Sequence, residues 1–185
     1  IRPHAKTHKS SDIAKLQLAA GAIGVCAAKL GEAEALYADG VQKILMTTAN
    51  LSRSKIQRAM NIRKKNRDFI QAVDYPQNAR DLSEAAKAAG ITADVVVDVA
   101  IGTRSGVPAG DQALALAQLV DKLPNLNLRG MLAYDGGAQH IKGYKARHDQ
   151  SLARSEDALK TFERMKASGL NTEIFSGGGT GTYNI

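Results

Sequence analysis

Short apolar runs alternate with amphipathic stretches along almost the whole chain, and this alternation restricts the fold more than any other feature. The runs are rich in β-branched residues and the stretches in Ala, Leu, Glu and Lys, which indicates strands joined by helices. The predicted strands are Ile23–Cys26, Ile44–Thr47, Phe69–Val73, Val95–Val99, Leu128–Ala133 and Thr172–Phe175, with the segment around His4–Lys6 as one more. The predicted helices are Asp12–Ala20, Gly31–Ala38, Ser52–Lys65, Asn78–Ala89, Asp111–Lys122 and Gln150–Ala167.

Parallel strands joined by helices form either a doubly wound open sheet or a closed barrel. About seven strands without a break in the pattern favour an α/β fold of the (β/α)8 TIM-barrel type, one strand short of eight, over a flavodoxin-like sheet. The chain begins with Ile1 in what reads as a strand, and it stops at Ile185 without a further helix or strand. We therefore expect residues 1–185 to be one barrel domain cut from a longer protein.

Polar residues follow several predicted strands, at the end of a barrel where active sites lie. The opening segment Arg2–Lys9 packs five potentially cationic side chains into eight residues. Neighbouring positive charge and partial burial lower the pKa of a lysine and free its amine as a nucleophile, which makes Lys6 the candidate. The alternative is a basic cluster on the surface.

The segment Ser176–Thr182 contains three consecutive glycines flanked by hydroxyl side chains. Backbone N–H groups without side chains around them can hold a phosphate, and barrels often bind phosphate on the loops after their late strands. A flexible glycine turn is the alternative. In the loop Gly102–Pro108, the Arg104 guanidinium could bind a carboxylate or a phenolate. Gln139 and His140 could line the mouth of the barrel.

Composition narrows the class of ligand. The net charge is +7, but aromatic residues make up only 4% of the chain, too few for stacking on nucleic-acid bases. The basic residues are spread out except for Arg63–Lys65, where the charges suit a helix C-terminus. We therefore expect a small anionic ligand and no nucleic acid. The histidines show no metal-ligand spacing with acidic residues, so no metal site is predicted in this segment.

The single cysteine, Cys26, excludes an intrachain disulfide and indicates a reducing compartment, which we take to be the cytoplasm. Because Cys26 lies in an apolar run, we expect it to be buried rather than nucleophilic. No apolar run approaches the length of about 18 residues that a membrane-spanning helix requires, so no membrane association is expected.

Taken together, these motifs resemble the fold-type III pyridoxal-phosphate enzymes related to alanine racemase, in the branch of D-threonine aldolase and D-serine dehydratase. The resemblance is carried by Arg2–Lys9, Gln17–Glu34, Tyr134–Gly136 with Gln139 and His140, and Gly177–Tyr183. It implies that Lys6 forms the Schiff base with pyridoxal phosphate. It further implies two groups of site residues. The other cofactor-binding residues would be Arg104, Tyr134, Ser176, Gly178, Gly179 and Thr180, and the substrate-side residues His8, Gln139 and His140.

The resemblance implies a lyase acting on a D-β-hydroxy amino acid, with retro-aldol cleavage to glycine and an aldehyde favoured. A D-serine dehydratase and a 3-hydroxy-D-aspartate aldolase or dehydratase are alternatives, as are an amino-acid racemase, a non-catalytic pyridoxal-phosphate carrier and a barrel that binds phosphate without a covalent cofactor. The branch also implies a divalent metal, Mn²⁺ or Mg²⁺, bound by a C-terminal β-domain outside this segment, and a homodimeric full-length protein.

Overall fold

The computed structural model describes residues 1–101 and 105–185. Within these ranges strands and helices alternate as the sequence predicts. The strands are β1 (Val25–Ala27), β2 (Ile44–Met46), β3 (Ile70–Val73), β4 (Ala93–Ala100), β5 (Val107–Pro108), β6 (Leu126–Ala133) and β7 (Ile174–Gly177). The α-helices are α1 (Ser11–Ala19), α2 (Leu30–Ala38), α3 (Arg53–Lys65), α4 (Pro76–Ala89), α5 (Asp111–Lys122) and α6 (Tyr144–Ala167), and short 3-10 turns lie at Ala5–Thr7 and Ala138–His140.

The chain divides into two compact units. The first comprises residues 1–73, 77–95 and 123–127, and its strands follow the order β1-β2-β3-β4, with β4 ending in the second unit. β1 pairs in parallel with β2 and β2 with β3, in a register that aligns Val25 with Ile44 and Leu45 with Ile70. Every residue of β1, β2 and β3 is buried, which is typical of parallel strands covered on both faces.

One ion pair of the first unit has both side chains largely buried. The Arg63 guanidinium, at the end of α3, lies 3.1 Å from an Asp94 carboxylate oxygen, and its side chain is only 12% exposed. Arg63 also donates to the backbone carbonyls of Thr92, Arg67 and Phe69. Within the basic cluster at the end of α3, Arg63 therefore has a structural role, as its position at the helix end suggests.

The second unit comprises residues 74–76, 96–122 and 128–185. In this unit β4, β6 and β7 follow one another in the sheet, β5 pairs with β4, and β6 pairs in parallel with β7. At Gly130 a Cβ atom would lie 2.0 Å from the carbonyl oxygen of Ile174, so only glycine allows this close approach between β6 and β7.

Four details differ from the sequence prediction. The opening segment is not a strand through Lys6, because only His4 makes a β-bridge, with Cys26, before the chain turns into the 3-10 turn. β7 lies closer to the C-terminus than predicted, so Ser176 belongs to the strand and not to the loop after it. β5 was not predicted, and α6 begins at Tyr144 rather than Gln150.

Within the described ranges, none of the helices combines the length and the apolar character that crossing a membrane requires. Cys26 is buried, as predicted. Burial raises the pKa of its thiol to about 11, although the nearby positive charges of Arg2 and Lys6 act in the opposite direction. The thiol is therefore protonated at neutral pH, which fits a packing role and not a nucleophilic one.

Candidate active site

The segment His4–Lys9 is called the lysine turn here. It begins at His4, which forms a single parallel β-bridge with Cys26 of β1. The Cys26 backbone N–H donates to the carbonyl of Pro3 at 2.7 Å, and this bond aligns the segment with β1. Ala5 is buried at 2% exposure, whereas Lys6, the next residue, is exposed. The sequence suggested partial burial of Lys6, whereas the structure places Lys6 at an exposed position of the 3-10 turn.

Side-chain hydrogen bonds connect the lysine turn to the ends of β1 and β2. The backbone N–H of Lys6 donates to Nδ1 of His4 at 3.3 Å, and the other ring nitrogen of His4 lies 3.2 Å from Oγ1 of Thr47. The Thr47 hydroxyl donates in turn to the carbonyl of Ala27 at 3.3 Å. The Lys6 backbone is therefore connected, through one imidazole and one hydroxyl, to Thr47 directly after β2 and to Ala27 at the end of β1.

Glu32 provides a second attachment for the same turn. One carboxylate oxygen of Glu32 lies 2.5 Å from the Lys9 ammonium, and the other accepts from the backbone N–H groups of Ala28 and Lys29 at 2.9 and 3.2 Å. Burial alone would raise the pKa of Glu32, but these hydrogen bonds outweigh it and hold the pKa below its ordinary value. The carboxylate thus stays charged and joins the lysine turn to the start of α2.

His8, a predicted substrate-side residue, lies in the same turn. Its Nδ1 accepts from the backbone N–H of Ser10 at 3.1 Å. Its Nε2 is buried, without a hydrogen-bond partner in the part of the chain that the structure describes. Ser10 is itself the N-cap of α1, and its hydroxyl accepts from the N–H of Ile13 at 3.3 Å. His8 therefore supports the connection between the lysine turn and α1.

In the second unit, Tyr134 directly follows β6 and is succeeded by a buried aspartate. Asp135 accepts from the backbone N–H of Gly137 at 2.8 Å and from the Arg154 guanidinium of α6 at 3.2 Å. Asp135 is 9% exposed. Because both bonds converge on one buried carboxylate, the chain segment that leaves Tyr134 is fixed at two points.

The glycine-rich segment Gly177–Thr182, called the glycine loop here, packs against Tyr134 and the following 3-10 turn. A Cβ atom on Gly179 would lie 3.0 Å from Cε2 of Tyr134, and one on Gly181 would lie 2.6 Å from Cα of Gln139. Gly178 has φ +72°, a conformation that other residues rarely adopt. The local geometry therefore requires glycine at positions 178 and 181, and at position 179 it places the backbone close to the Tyr134 ring, which goes beyond a flexible turn.

Hydrogen bonds inside the glycine loop close it into a tight turn. The N–H of Gly179 donates to Oγ1 of Thr182 at 2.8 Å, and the N–H of Thr182 donates to the carbonyl of Gly179 at 3.0 Å. Residues 177–180 are exposed, so the backbone at the head of this turn faces solvent. The loop therefore presents an open stretch of backbone that ends at the hydroxyl side chain of Thr182, with a second hydroxyl, that of Ser176, directly before it in β7.

Within each unit the structure brings predicted site residues together. In the second unit Gly179 lies against Tyr134, and the backbone of Gln139 lies against Gly181. In the first unit Lys6 and His8 belong to the same turn. Gln139 donates its side-chain N–H to the carbonyl of Gly136 at 3.1 Å, and the exposed His140 ends the same 3-10 turn. Arg104 lies outside the described residues. Among the described residues, no three His, Cys, Asp or Glu side chains are grouped as metal ligands.

Two residues with polar side chains near this end of the strands, Thr47 and Asp74, were not identified from the sequence, whereas the strand-end rule does indicate Asp98. Thr47 follows β2 and bonds to His4, as described above. Asp74 follows β3 and is half-buried, and burial raises the pKa of its carboxyl although its own backbone N–H opposes the shift. Asp98, in β4, is buried and accepts from the Ser105 hydroxyl at 3.2 Å. The strand-end rule applied to every strand would have identified Thr47 and Asp74.

The profile of the family described as alanine racemase, N-terminal domain, matches residues 1–184. The chain is 36% identical to a 3-hydroxy-D-aspartate aldolase of Paracoccus denitrificans strain Pd 1222, and 34% identical to a D-threonine aldolase of an Arthrobacter species. It is 32% identical to a D-threo-3-hydroxyaspartate dehydratase of Delftia sp. strain HT23. Each match covers 98% of this chain and 48% of the relative, so the chain spans about half the length of these proteins.

Solved structures of proteins with these names share the fold of this chain. The chain superposes on a D-threonine aldolase from Filomicrobium marinum with a TM-score of 0.94 and 36% identity, over 97% of this chain and 49% of that one. For the D-threo-3-hydroxyaspartate dehydratase from Delftia sp. HT23 the TM-score is 0.88 at 28% identity, over 98% and 48% of the two chains. These matches confirm the predicted α/β class and the incomplete (β/α)8 barrel.

Proposed function

Because this chain belongs to the alanine racemase N-terminal domain family, we propose that it is the cofactor-binding part of a pyridoxal-phosphate-dependent lyase acting on D-β-hydroxy amino acids. The curated relatives named above act, by their names, on D-threonine or on 3-hydroxyaspartate. Both substrates carry a hydroxyl group on Cβ. The proposal therefore assigns this protein a substrate with an amine on Cα and a hydroxyl on the neighbouring carbon.

The residues of the lysine turn fit a covalent cofactor. An exposed lysine amine, on a turn whose backbone is fixed by His4 and whose far end is fixed by Glu32, can be approached by an aldehyde without moving the chain. Lys6 is the residue that we propose holds the cofactor. Pyridoxal phosphate, when bound, supplies an electron sink for the negative charge that develops at Cα of the substrate.

The glycine loop fits the phosphate group. Without Cβ atoms on Gly178 and Gly179, phosphate oxygens can reach the backbone N–H groups directly. Because the Gly179 N–H already donates to Thr182, a bound phosphate would share or replace that bond, with the hydroxyls of Ser176 and Thr180 as further donors. Tyr134, in contact with Gly179, is proposed to lie beside the cofactor ring.

The remaining predicted residues complete the proposal. Arg104 is proposed to contact the cofactor's phenolic oxygen or the substrate, and His8, Gln139 and His140 are proposed to lie on the substrate side. We also propose that a divalent metal, Mn²⁺ or Mg²⁺, is bound by a part of the full-length protein outside this segment, and that the full-length protein is a cytoplasmic homodimer.

Within this class we propose aldol cleavage over dehydration. The observation that carries this choice is the match to a D-threonine aldolase structure at a TM-score of 0.94 over 97% of this chain. In the proposed reaction the β-hydroxyl loses its proton, the Cα–Cβ bond breaks, Cβ leaves as an aldehyde, and Cα takes up a proton to give glycine. A dehydratase would instead break the bond between Cβ and its hydroxyl oxygen.

Product analysis on the full-length protein distinguishes these reactions. The protein is incubated with pyridoxal phosphate and D-threonine, 3-hydroxy-D-aspartate, D-serine or D-alanine, with and without Mn²⁺ or Mg²⁺. We expect glycine together with acetaldehyde or glyoxylate from the first two substrates. A keto acid with ammonia would identify a dehydratase, and L-alanine from D-alanine would identify a racemase. Bound cofactor without turnover of any substrate would identify a carrier.

The role of Lys6 is tested separately. Borohydride should bleach the yellow protein and fix the cofactor on the peptide that contains Lys6, as read by mass spectrometry. Lys6→Ala should remove both the label and the activity, whereas Lys15→Ala, at an exposed lysine of α1, should leave them unchanged. A colourless wild-type protein that takes up no added pyridoxal phosphate would exclude the proposed function.

A further inference from the structure

We infer that His4 is a positioning residue for Lys6, and that it acts as the neutral imidazole with its proton on Nε2. The inference deepens the proposed function and rests on it for the ligand that Lys6 holds. Its basis is the chain of three hydrogen bonds from the Lys6 backbone through His4 and Thr47 to the Ala27 carbonyl. The direction of each bond follows from the chemistry of the two groups at the ends.

The first end of the chain fixes the state of Nδ1. A backbone N–H is a donor only, so the contact between the Lys6 nitrogen and His4 Nδ1 requires a lone pair on Nδ1. An imidazolium carries protons on both nitrogens and could not accept this bond. His4 is therefore neutral when the bond is made, and its single ring proton is on Nε2.

The other end of the chain leads to the same result independently. A backbone carbonyl is an acceptor only, so the single hydroxyl proton of Thr47 is used in the bond to Ala27. Oγ1 of Thr47 then has only lone pairs to offer to Nε2 of His4, at 3.2 Å, and Nε2 must be the donor. The two ends thus assign the same tautomer.

In this arrangement the imidazole connects the backbone of the turn to Thr47. His4 is the N-cap of the 3-10 turn Ala5–Thr7, and its side chain binds the N–H of the residue two positions later. This local bond fixes the backbone at Lys6 directly. Thr47, which is 43 residues away in the sequence, holds the far side of the ring. The Cα of Lys6 is therefore fixed relative to β1 and β2, and its amine starts from a defined point.

Two substitutions test the two hydrogen bonds of His4 separately. The amide oxygen of an asparagine can take the acceptor position of Nδ1, so His4→Asn retains the cap on the Lys6 N–H and loses the bond to Thr47. The amide nitrogen of a glutamine can reach the position of Nε2, so His4→Gln retains the donor to Thr47 and loses the acceptor at Lys6. If His4 served only to fill space, the two variants would behave alike.

The first measurement uses the wild-type full-length protein. Long-range ¹H–¹⁵N correlation of the histidine rings, with His4 assigned by its loss in His4→Asn, reports the protonation of each nitrogen. We expect a protonated Nε2 and an unprotonated Nδ1, both without added cofactor and with it. A proton on Nδ1, or on both nitrogens at neutral pH, would overturn the inference. This measurement needs no variant to be active.

The second measurement follows the rate at which pyridoxal phosphate becomes fixed on Lys6 by borohydride. We expect His4→Asn to stay within about threefold of wild type and His4→Gln to be slower by about tenfold, the equivalent of one lost hydrogen bond. Equal rates for the two variants, or a slower His4→Asn, would overturn the positioning role. If the wild-type protein itself takes up no cofactor, the proposed function fails, and the ring-nitrogen measurement still decides the state of His4.

Discussion

The lysine turn and the glycine loop are held in place by opposite means. In the lysine turn, the fixed points are side chains that reach distant residues, His4 to Thr47 and Lys9 to Glu32. In the glycine loop, the fixed points are places where a side chain is missing, because Gly179 makes room for Tyr134 and Gly181 for the backbone at Gln139.

This difference follows from the chemistry that we propose for each region. A reactive amine has to be directed, and side-chain hydrogen bonds restrict its backbone at the strand end. An anion cradle has to leave N–H groups uncovered, and any side chain would block them. The two regions should therefore respond oppositely to substitution, since the lysine turn is damaged when atoms are removed and the glycine loop when atoms are added.

The largest effect is expected for Gly181→Ala. Its new methyl group would lie 2.6 Å from Cα and 2.8 Å from the nitrogen of Gln139, and because both are backbone atoms the loop has to move. Overpacking of this kind costs about 2 kcal/mol, which corresponds to about 30-fold weaker cofactor binding if the displaced loop holds the phosphate. Titration with pyridoxal phosphate measures the dissociation constant.

Gly31→Ala is the matched control for this experiment. Gly31 lies in α2, and apart from its chain neighbours and the backbone of its own helix no atom lies within 4 Å of the position of its Cβ. Alanine there should leave cofactor affinity unchanged and raise the free energy of unfolding by a few tenths of a kcal/mol, up to about 1 kcal/mol. Cofactor binding by Gly181→Ala as tight as in Gly31→Ala would show that the loop does not depend on missing side chains.

A second substitution asks whether side-chain bonds also matter in the second unit. Arg154→Ala removes the partner of Asp135, a carboxylate that is 9% exposed and retains the bond from the Gly137 N–H. We expect the free energy of unfolding to fall by about 1.5 kcal/mol, because the buried charge loses a charged donor. Urea denaturation followed by circular dichroism measures this change.

The control lies on the same helix. Arg164 pairs at 2.6 Å with Asp111, whose side chain is 91% exposed, so Arg164→Ala should change stability by no more than about 0.5 kcal/mol. Equal losses in Arg154→Ala and Arg164→Ala would mean that the Asp135 bond contributes no more than a surface pair. In that case side-chain bonds would matter little in the second unit, and the difference between the two regions would be larger than proposed.

The sequence allowed most of the fold to be predicted because hydrophobic periodicity is a local signal. Helix α5 was predicted at its observed bounds, and the Ser52 hydroxyl accepts from the N–H of Lys55 as an N-cap should. The start of α6 was missed because Gly143 provides no side-chain cap and the first turns are polar. A short pair such as β5 has too few residues to show any period.

The candidate site was predictable in its parts but not in its connections. Lys6, Tyr134 and the glycine loop were identified from strand-end position and motif. The contacts that hold them were not, because Thr47 meets His4 across 43 residues, and no local pattern reports such a meeting. Likewise, the sequence shows that Gly181 lacks a side chain, but only the fold shows that the backbone of Gln139 occupies that space.

A smaller effect is expected from removing one oxygen atom that contacts the lysine turn. Thr47→Val retains the shape of the side chain but leaves Nε2 of His4 without its acceptor, so we expect a loss of about 1 kcal/mol in the free energy of unfolding. Thr47→Ser retains the hydroxyl and should lose less. Urea denaturation of both variants tests this order. A Thr47→Val protein as stable as Thr47→Ser would exclude a role for the hydroxyl in fixing the turn.

The smallest effect is a pH dependence that comes from Glu32. Burial opposes ionisation, but the bonds from Lys9, Ala28 and Lys29 prevail and the pKa of Glu32 is lowered in the folded protein. An unfolded glutamate has a pKa of about 4.3, so the unfolded chain takes up this proton first as the pH falls. The stabilisation is therefore complete well above that pH and is lost as the pH falls through the lower folded value.

Glu32→Gln should remove this contribution. We expect its stability deficit relative to wild type to be largest near neutral pH and to shrink as the solution becomes more acidic than the ordinary glutamate pKa. Glu84→Gln, at an exposed residue of α4, is the control and should follow the wild-type profile. Thermal unfolding between pH 3 and 7 measures both profiles. A deficit that stays constant over this range would show that Glu32 supports the lysine turn by its shape and not by its charge.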